Sequence, residues 1–482
     1  MKSTTSVRAE AVAARREKGS SVRWVLISLA LSMLLSSLGV SIPNVALPTL
    51  AQAFGASFQQ VQWVVIAYLL AITVVIVSVG RLGDLLGHGR VLLAGIALFT
   101  VASALCGIAP TLGMLIAARA LQGVGAAILM ALTVALVRET VPKESTGSAM
   151  GLLGTMSAIG TALGPSVGGV LVAGPGWRAI FLIMVPLGVA AFLLAQRHLP
   201  VQAPKARVAG QGFDKLGTVL LGLTLGAYAL AVTAGGGRFG ELNAELLLGA
   251  VVGAVLFLFS QARVASPLIR LSELRHPVLS ASLAMNVLVP TVMMATLVVG
   301  PFFLARALGL PEVMVGFVMA IGPVISTFTG VPAGKIVDRF GAPLIVVLGL
   351  VEMAAGTFAL ALLPSVYGVA GYVAAIFILT PGYQLFQAAN NTAVMMDVSA
   401  ERRGVVSGML SLARNLGLIT GASAMGALFA YASAAPDIAA APADAVALGM
   451  RITFLVAGGL VVLALAIALL GMRRLKAAPS AP

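Results

Sequence analysis

The chain has 482 residues, 60% of them hydrophobic and 10% charged, with a formal net charge of +14 at pH 7. Soluble proteins carry about 25% charged residues, so the composition excludes an ordinary water-facing domain. The excess base does not mark a nucleic-acid binder either. Lys and Arg sit at the ends of apolar runs, not in a basic stripe interleaved with aromatics.

A bilayer core of about 30 Å takes about 20 apolar residues to cross as a helix. Backbone in lipid must satisfy its hydrogen bonds within its own segment. Runs of that length follow one another along this chain with short polar breaks, so the expected fold class is all-α integral membrane. Cys106, the one cysteine, falls inside an apolar run; it forms no internal disulfide and reads as a small packing residue.

Residues 1–23 form a basic tail with Lys2, Arg8, Arg15, Arg16, Lys18 and Arg23, ahead of an apolar run from Trp24 to Leu47. A secretory signal has a core of only about 7–15 apolar residues, so this run reads as a retained first helix. No lipidation motif is evident. Further spans near 60–82, 91–109, 112–137, 148–173 and 179–196 complete a six-helix bundle over 24–197. A linker, 198–276, holds two more spans near 216–234 and 246–262. Six others, near 279–304, 313–333, 342–363, 367–390, 404–432 and 451–472, make a second bundle over 277–472, and a tail follows at 473–482.

Fourteen crossings put both ends of the chain on one side. Of the 30 Lys and Arg, 24 fall on that side, which the positive-inside rule makes cytoplasmic. The expected setting is a bacterial inner membrane, with lipid as the main surroundings.

The two bundles repeat. Gly80, Asp84 and Gly87 in GRLGDLLG match Gly334, Asp338 and Gly341 in GKIVDRFG, and both segments are expected as loops after the second helix of their bundle. At a shift of 257 residues, Gly147, Gly151, Gly160, Gly164 and Gly169 match Gly404, Gly408, Gly417, Gly421 and Gly426. The two spans of the linker lie outside this repeat as an inserted hairpin. Duplicated halves with a binding site between them near the midplane are a transporter architecture.

The segment 80-GRLGDLLGHGR-90 resembles the cytoplasmic signature loop of the major facilitator superfamily. The resemblance implies ion-pair clusters that hold a cytoplasmic gate, built from Gly80, Arg81, Asp84, Gly87 and Arg90, and in the second half from Gly334, Lys335, Asp338, Arg339 and Gly341. His88 stands where the family usually has a basic residue. The stretch 119-RALQGVGAA-127 resembles the family motif with an intramembrane arginine. Arg119 is then read either as part of a hydrogen-bond network that responds to proton loading, or as a side chain snorkelling to the interface.

The stretch 160-GTALGPSVGG-169 sets small residues at i, i+4 and i+8, a face that lets helices approach closely, and Pro165 invites a bend. With Gly160, Gly164, Pro165, Gly168 and Gly169 it resembles the motif associated with antiporters. NVALP at 44–48 and QWVVIAY, with Gln62, Trp63 and Tyr68, resemble the fourteen-helix branch of drug:proton antiporters. Where that branch has an Asp five residues before the asparagine, this chain has Gly39.

Glu352 lies about 15 Å along its helix from Ala342 at 1.5 Å per residue, near the midplane, and an acid there is a proton-site candidate. The family, however, places this helix on the supporting ring. Asp397 is a second candidate. Gln384, Gln387, Asn390 and Asn391 recur at three- and four-residue spacing, with Arg414 in the next span. They form either a polar cavity wall or interhelical glue. Asn44, Gln122 and Asn286 complete the cavity candidates, and Met285, Met293 and Met294 are read either as a soft apolar lining or, as methionines at helical spacing more often are, as packing.

No nucleotide-binding loop is present, and His88, His198 and His276 are scattered, so no metal site, cofactor or enzyme activity is expected. The expected function is a monomeric secondary transporter that exports amphipathic or cationic small organic molecules in exchange for protons. The alternatives are an exporter of an endogenous metabolite such as an amino acid, siderophore or lipid, or a transporter-like sensor without flux.

Overall fold

A computed structural model describes residues 4–141, 146–199, 214–234, 240–264, 276–396, 403–434 and 441–477, with 267, 268, 271, 274 and 438 singly. Asp397 lies outside the described residues, as do the side chains of Arg81 and Asp84. Among the described residues every regular element is helical.

The first half contains α1 (Thr4–Val45), the short α2 (Leu47–Phe54), α3 (Phe58–Leu86), α4 (His88–Ile108), α5 (Leu112–Thr140) and α6 (Thr146–Ala173). Its last crossing is split into α7 (Ala179–Leu182) and α8 (Met184–His198). The hairpin is α9 (Lys215–Thr233) with α10 (Glu241–Arg263). The second half comprises α11 (Pro277–Phe302), α12 (Glu312–Phe340), α13 (Ala342–Met396), α14 (Arg403–Thr420), α15 (Gly426–Ala432) and α16 (Ala443–Ala477). Single π-helical turns at Phe303–Ala307 and Gly421–Met425 follow α11 and α14.

Thirteen of these segments are long and apolar enough to cross a membrane. One, α13, runs for 55 residues and breaks at Gly368 (φ 56°, ψ −130°) into two limbs. Gly349 and Gly356 of the first limb sit against Phe386 and Leu379 of the second. The limbs are therefore antiparallel, and the described chain makes fourteen crossings.

Local chemistry explains where the helices start. Ser57 caps α3 in a reciprocal box with Gln60, Thr111 caps α5, and Asp214 caps α9 through the Gly217 amide, satisfying donors a helix start leaves open. Inside the spans, buried hydroxyls bond back to their own helix. Ser28, Ser32, Thr73, Thr100 and Ser103 each donate to a carbonyl three or four residues earlier. Such residues join an apolar run without leaving a bare polar group in lipid.

The two G-x-x-x-D-x-x-G segments are not loops. α3 continues to Leu86 and α12 to Phe340, and each ends at a single glycine, Gly87 (φ 94°) and Gly341 (φ 83°), after which the next helix begins at once. A left-handed glycine reverses the chain in one residue at little steric cost, so no longer loop is needed. The repeat read from glycines and acids is thus a repeat of two helix-to-helix reversals.

The hairpin is pinned to both halves. On the first half, Trp63 Nε1 donates to Thr233 Oγ1 at 3.0 Å and Ser78 pairs with Thr218 at 3.0 Å. On the second half, the Tyr228 hydroxyl donates to Thr420 Oγ1 at 3.2 Å. Within the hairpin, Gln261 Nε2 donates to Asp214 Oδ2 at 2.7 Å, and Asn243 Nδ2 reaches the Ala231 and Ala234 carbonyls.

Candidate functional site

A cavity of about 580 Å³ lies between the two halves. Its walls are Ser36, Ser37 and Val40 of α1, Leu69 and Ile72 of α3, and Met130 of α5. On α6 it touches residues from Gly151 to Thr161, and on α12 those from Pro323 to Val331. Tyr383 and Gln384 of α13 and Arg414, Asn415 and Leu418 of α14 close the second-half side. Hydroxyls and amides dominate its polar surface, Arg414 is the one charge, and no acid lines it among the described residues.

Glycines report which end of the seam is shut. At Gly151 and Gly154, which line the cavity on the side where α1 begins and α16 ends, an added Cβ would meet nothing within 4 Å. Toward the opposite side, a Cβ on Gly169 would stand 2.7 Å from the Glu312 carbonyl oxygen and 3.0 Å from Gly316 Cα. One on Gly316 would stand 2.6 Å from the Pro165 carbonyl oxygen. There Phe58 of the first half lodges between Phe302 and Phe429 of the second, with ring centroids 4.7 and 5.4 Å away. The far end is thus packed backbone to backbone, and the cavity lies on the side of the chain termini.

The antiporter-like glycines do two different jobs. Gly160 and Gly164 press α6 onto α1, where a Cβ on Gly164 would fall 1.8 Å from Ser41 Oγ. Ser37–Ser157 at 2.8 Å and Ser41 Oγ to the Gly160 carbonyl at 3.1 Å tie the same pair. Gly168 also lies against α1, at the Ile42 carbonyl, whereas Gly169 faces the second half.

Arg119 is fully buried and does not snorkel. Its Nε donates to the Val64 carbonyl at 2.8 Å, Nη1 donates to Gln122 Oε1, and the guanidinium lies 4.1 Å from the centre of the Tyr68 ring. Gln122 Nε2 passes the network to Ser103 Oγ at 2.7 Å. The Tyr68 hydroxyl donates to the Ser36 carbonyl at 3.0 Å. A Cβ on Gly39 would come within 2.8 Å of that hydroxyl and 3.2 Å of Phe99. The space an acid would take at position 39 is therefore filled by aromatic rings. His88 Nδ1 lies 3.1 Å from Glu139 Oε1, so the histidine in the signature segment contacts α5.

Of the sequence-derived cavity candidates, Gln384 and Arg414 line the cavity. Asn44 lies outside the lining; its Nδ2 donates to the Val40 carbonyl of its own helix at 2.7 Å, and its Oδ1 is buried without a partner among the described residues. Gln62 is buried against Gly426, Trp63 holds the hairpin, and Tyr68 and Gln122 serve Arg119. Asn286 is buried in α11.

The amide ladder of α13 divides. Gln384 faces the cavity while Asn390 faces a separate pocket, because six residues at 3.6 per turn leave them about 120° apart. Gln387 and Asn391 are half-buried and line neither space. Glu352 is half-buried, its Cβ lies close to Gly382, and it stands outside the cavity wall. Met285 lines the pocket facing Asn390, not the cavity.

Sequence reasoning missed Ser36, Ser37, Thr155, Ser157, Thr161, Ser326, Thr327, Tyr383 and Asn415. Ser36, Thr155, Thr161 and Thr327 each bond to a carbonyl of their own helix, and a hydroxyl satisfied in that way joins an apolar run without marking a site.

Two six-helix halves around a central cavity, packed shut at one end, define a membrane carrier. A model of the Major Facilitator Superfamily matches residues 29–422, and the chain belongs to that superfamily of multi-pass transporters. It is 34% identical over 400 residues to the uncharacterized transporter YebQ of Escherichia coli (strain K12), covering 83% of this chain and 87% of that one. The riboflavin transporter RibZ of Clostridioides difficile (strain 630) is 30% identical over 411 residues, with coverage of 85% and 88%. The multidrug efflux pump LfrA of Mycolicibacterium smegmatis is 32% identical over 411 residues, with coverage of 84% and 81%. Among solved structures, the nucleoside transporter NupG superposes with a TM-score of 0.67 at 13% identity, covering 93% of this chain and 99% of that one. An inward-facing, unoccupied bacterial homologue of the lysosomal transporter Spinster gives 0.66 at 16%, covering 94% and 97%. At such identities the likeness is one of fold.

Proposed function

We propose that the protein is a monomeric exporter in a bacterial inner membrane that moves amphipathic organic molecules outward in exchange for protons by alternating access. The observation that carries this reading is the cavity itself. It is roomy, rich in hydroxyls, and packed shut at the end opposite the chain termini, the side the positive-inside rule makes external. One proton moving down about 100 mV supplies roughly 2.3 kcal/mol, enough to drive useful accumulation.

Within this reading the lining favours neutral or anionic cargo over organic cations. Arg414 is the only lining charge, and no acid faces it among the described residues. That supports the metabolite-exporter alternative as strongly as the multidrug one. The relatives point both ways, since one is named a riboflavin transporter and another a multidrug efflux pump. For the proton step we assign Glu352, a half-buried carboxyl inside a span, ahead of Arg119 and Asp397.

The test uses proteoliposomes with an imposed pH gradient and two fluorescent cargoes, uncharged riboflavin and cationic ethidium. Riboflavin movement that collapses with a protonophore, and loses its pH dependence in Glu352→Gln, is the expected result. Ethidium movement that survives Arg414→Ala, with no riboflavin movement, would overturn the cargo assignment.

A further inference from the structure

A second space lies outside the central cavity. It is a slot of about 190 Å³ between the start of α11, both limbs of α13 and the end of α16. Leu344 and Leu470, next in the chain to the lining residues Pro343 and Gly471, are 50% and 58% exposed, as apolar residues of a spanning helix are where they face lipid. Pro277 and Pro343 stand at its mouth near the first turns of their helices. Proline carries no N–H, which removes donors from the part of the wall nearest the headgroups.

The interior is apolar, with Val346, Ala393 and Ile467 among its walls. Two buried polar side chains, Ser282 and Asn390, interrupt it. Asn390 is 1% exposed, lines the slot, and its Oδ1 has no hydrogen-bond partner among the described residues. Its Nδ2 makes only a long bond of 3.5 Å to the Ser282 carbonyl. A buried acceptor left without a donor bears its full desolvation penalty, and an acyl chain cannot relieve it.

We propose that this slot is a second ligand site, separate from the central cavity, for a small amphiphile with an apolar body and one hydroxyl or amine donor, taken from the adjoining leaflet. The body fills the apolar walls, and the donor reaches Asn390 Oδ1. Apolar pockets with a small number of placed polar groups are the usual form of such sites. The site does not depend on which cargo the central cavity carries. Gln384 and Asn390 point about 120° apart on one helix, so the second limb of α13 separates the two spaces.

The experiment photolabels the purified full-length protein in lipid nanodiscs with a diazirine-bearing octanol and maps the adducts by mass spectrometry. Adducts are expected to concentrate on Met285 and Met472, to fall with excess 1-octanol, and to persist with excess octane. Asn390→Leu, which keeps the branched four-atom shape but removes the acceptor, should cut this labelling roughly fivefold. Ala281→Phe, which fills the slot from α11 and leaves the amide intact, should abolish it even if the asparagine variant folds poorly. Three results would overturn the proposal. They are equal labelling of Leu348, Leu470 and the slot (an adventitious additive only), competition by octane as effective as by octanol (a plain acyl-chain groove), and labelling unchanged in a folded Asn390→Leu protein.

Discussion

Replacing Gly169 by alanine should push the transporter out of the conformation seen here. Its new Cβ would stand 2.7 Å from the Glu312 carbonyl oxygen and 3.0 Å from Gly316 Cα. Both are backbone atoms of α12, which cannot swing aside as a side-chain tip would. Overpacking of this kind costs about 1–3 kcal/mol. That cost falls on the state in which α6 and α12 touch at the far end, and not on one in which they part. A penalty of about 1–3 kcal/mol on one of two states shifts their ratio about 5- to 150-fold.

Spin-label pairs read the shift. Exposed Gln52 and Pro311 report the far end, and Leu86 and Phe340 the end beside the chain termini. In Gly169→Ala the first distance distribution should lengthen and the second shorten. Gly151→Ala, whose Cβ meets nothing within 4 Å, should change neither. A folded Gly169→Ala protein with both distributions unmoved would refute the view that this glycine contact holds the far end shut.

Three further outcomes follow from the same geometry. Arg119→Lys gives up the planar contacts to Val64, Gln122 and the Tyr68 ring, and should cost about 3 kcal/mol of stability, seen as a lower Tm in detergent; an unchanged Tm would contradict a structural burial of this charge. Gly39→Asp drives its side chain into the Tyr68 hydroxyl and Phe99, so it should destabilise by about 1–3 kcal/mol. Tyr68→Ala should relieve part of that loss, a coupling of about 0.5–3 kcal/mol in a double-mutant cycle, and strict additivity would show that the two sites do not meet. Tyr228→Phe removes one hydroxyl bond to Thr420 and should cost about 1 kcal/mol in thermal unfolding; Thr420→Val added to it should cost little more.

How far a residue's role is legible in the sequence depends on whether its partners are local or come from other helices. Arg119 was legible as an intramembrane charge, but its surroundings were not, because Val64, Tyr68, Ser103 and Gln122 come from three helices. Glu352 stands out in the sequence as a lone acid within a span, yet what it faces depends on how α13 folds back on itself. The amides of α13 looked like one ladder, since three- and four-residue steps each keep roughly to one face, but over six residues the drift amounts to a third of a turn. Of the hydroxyls lining the cavity, Ser36, Thr155, Thr161 and Thr327 bond to their own helix backbone, while Ser37 and Ser157 meet only across α1 and α6, so neither kind marks itself in the sequence.

Membrane residence, the number of crossings and the twofold repeat were determined by the sequence alone. Lipid forces each crossing to be an apolar helix of set length, so those features are written locally, residue after residue. Which end of the seam is packed shut, which glycines touch the opposite half and which merely face space, and how Asn390 came to line a slot apart from the cavity were decided only by the tertiary structure. Those facts depend on distances between helices far apart in the chain, and small side chains that permit close approach carry no mark of the partner they approach.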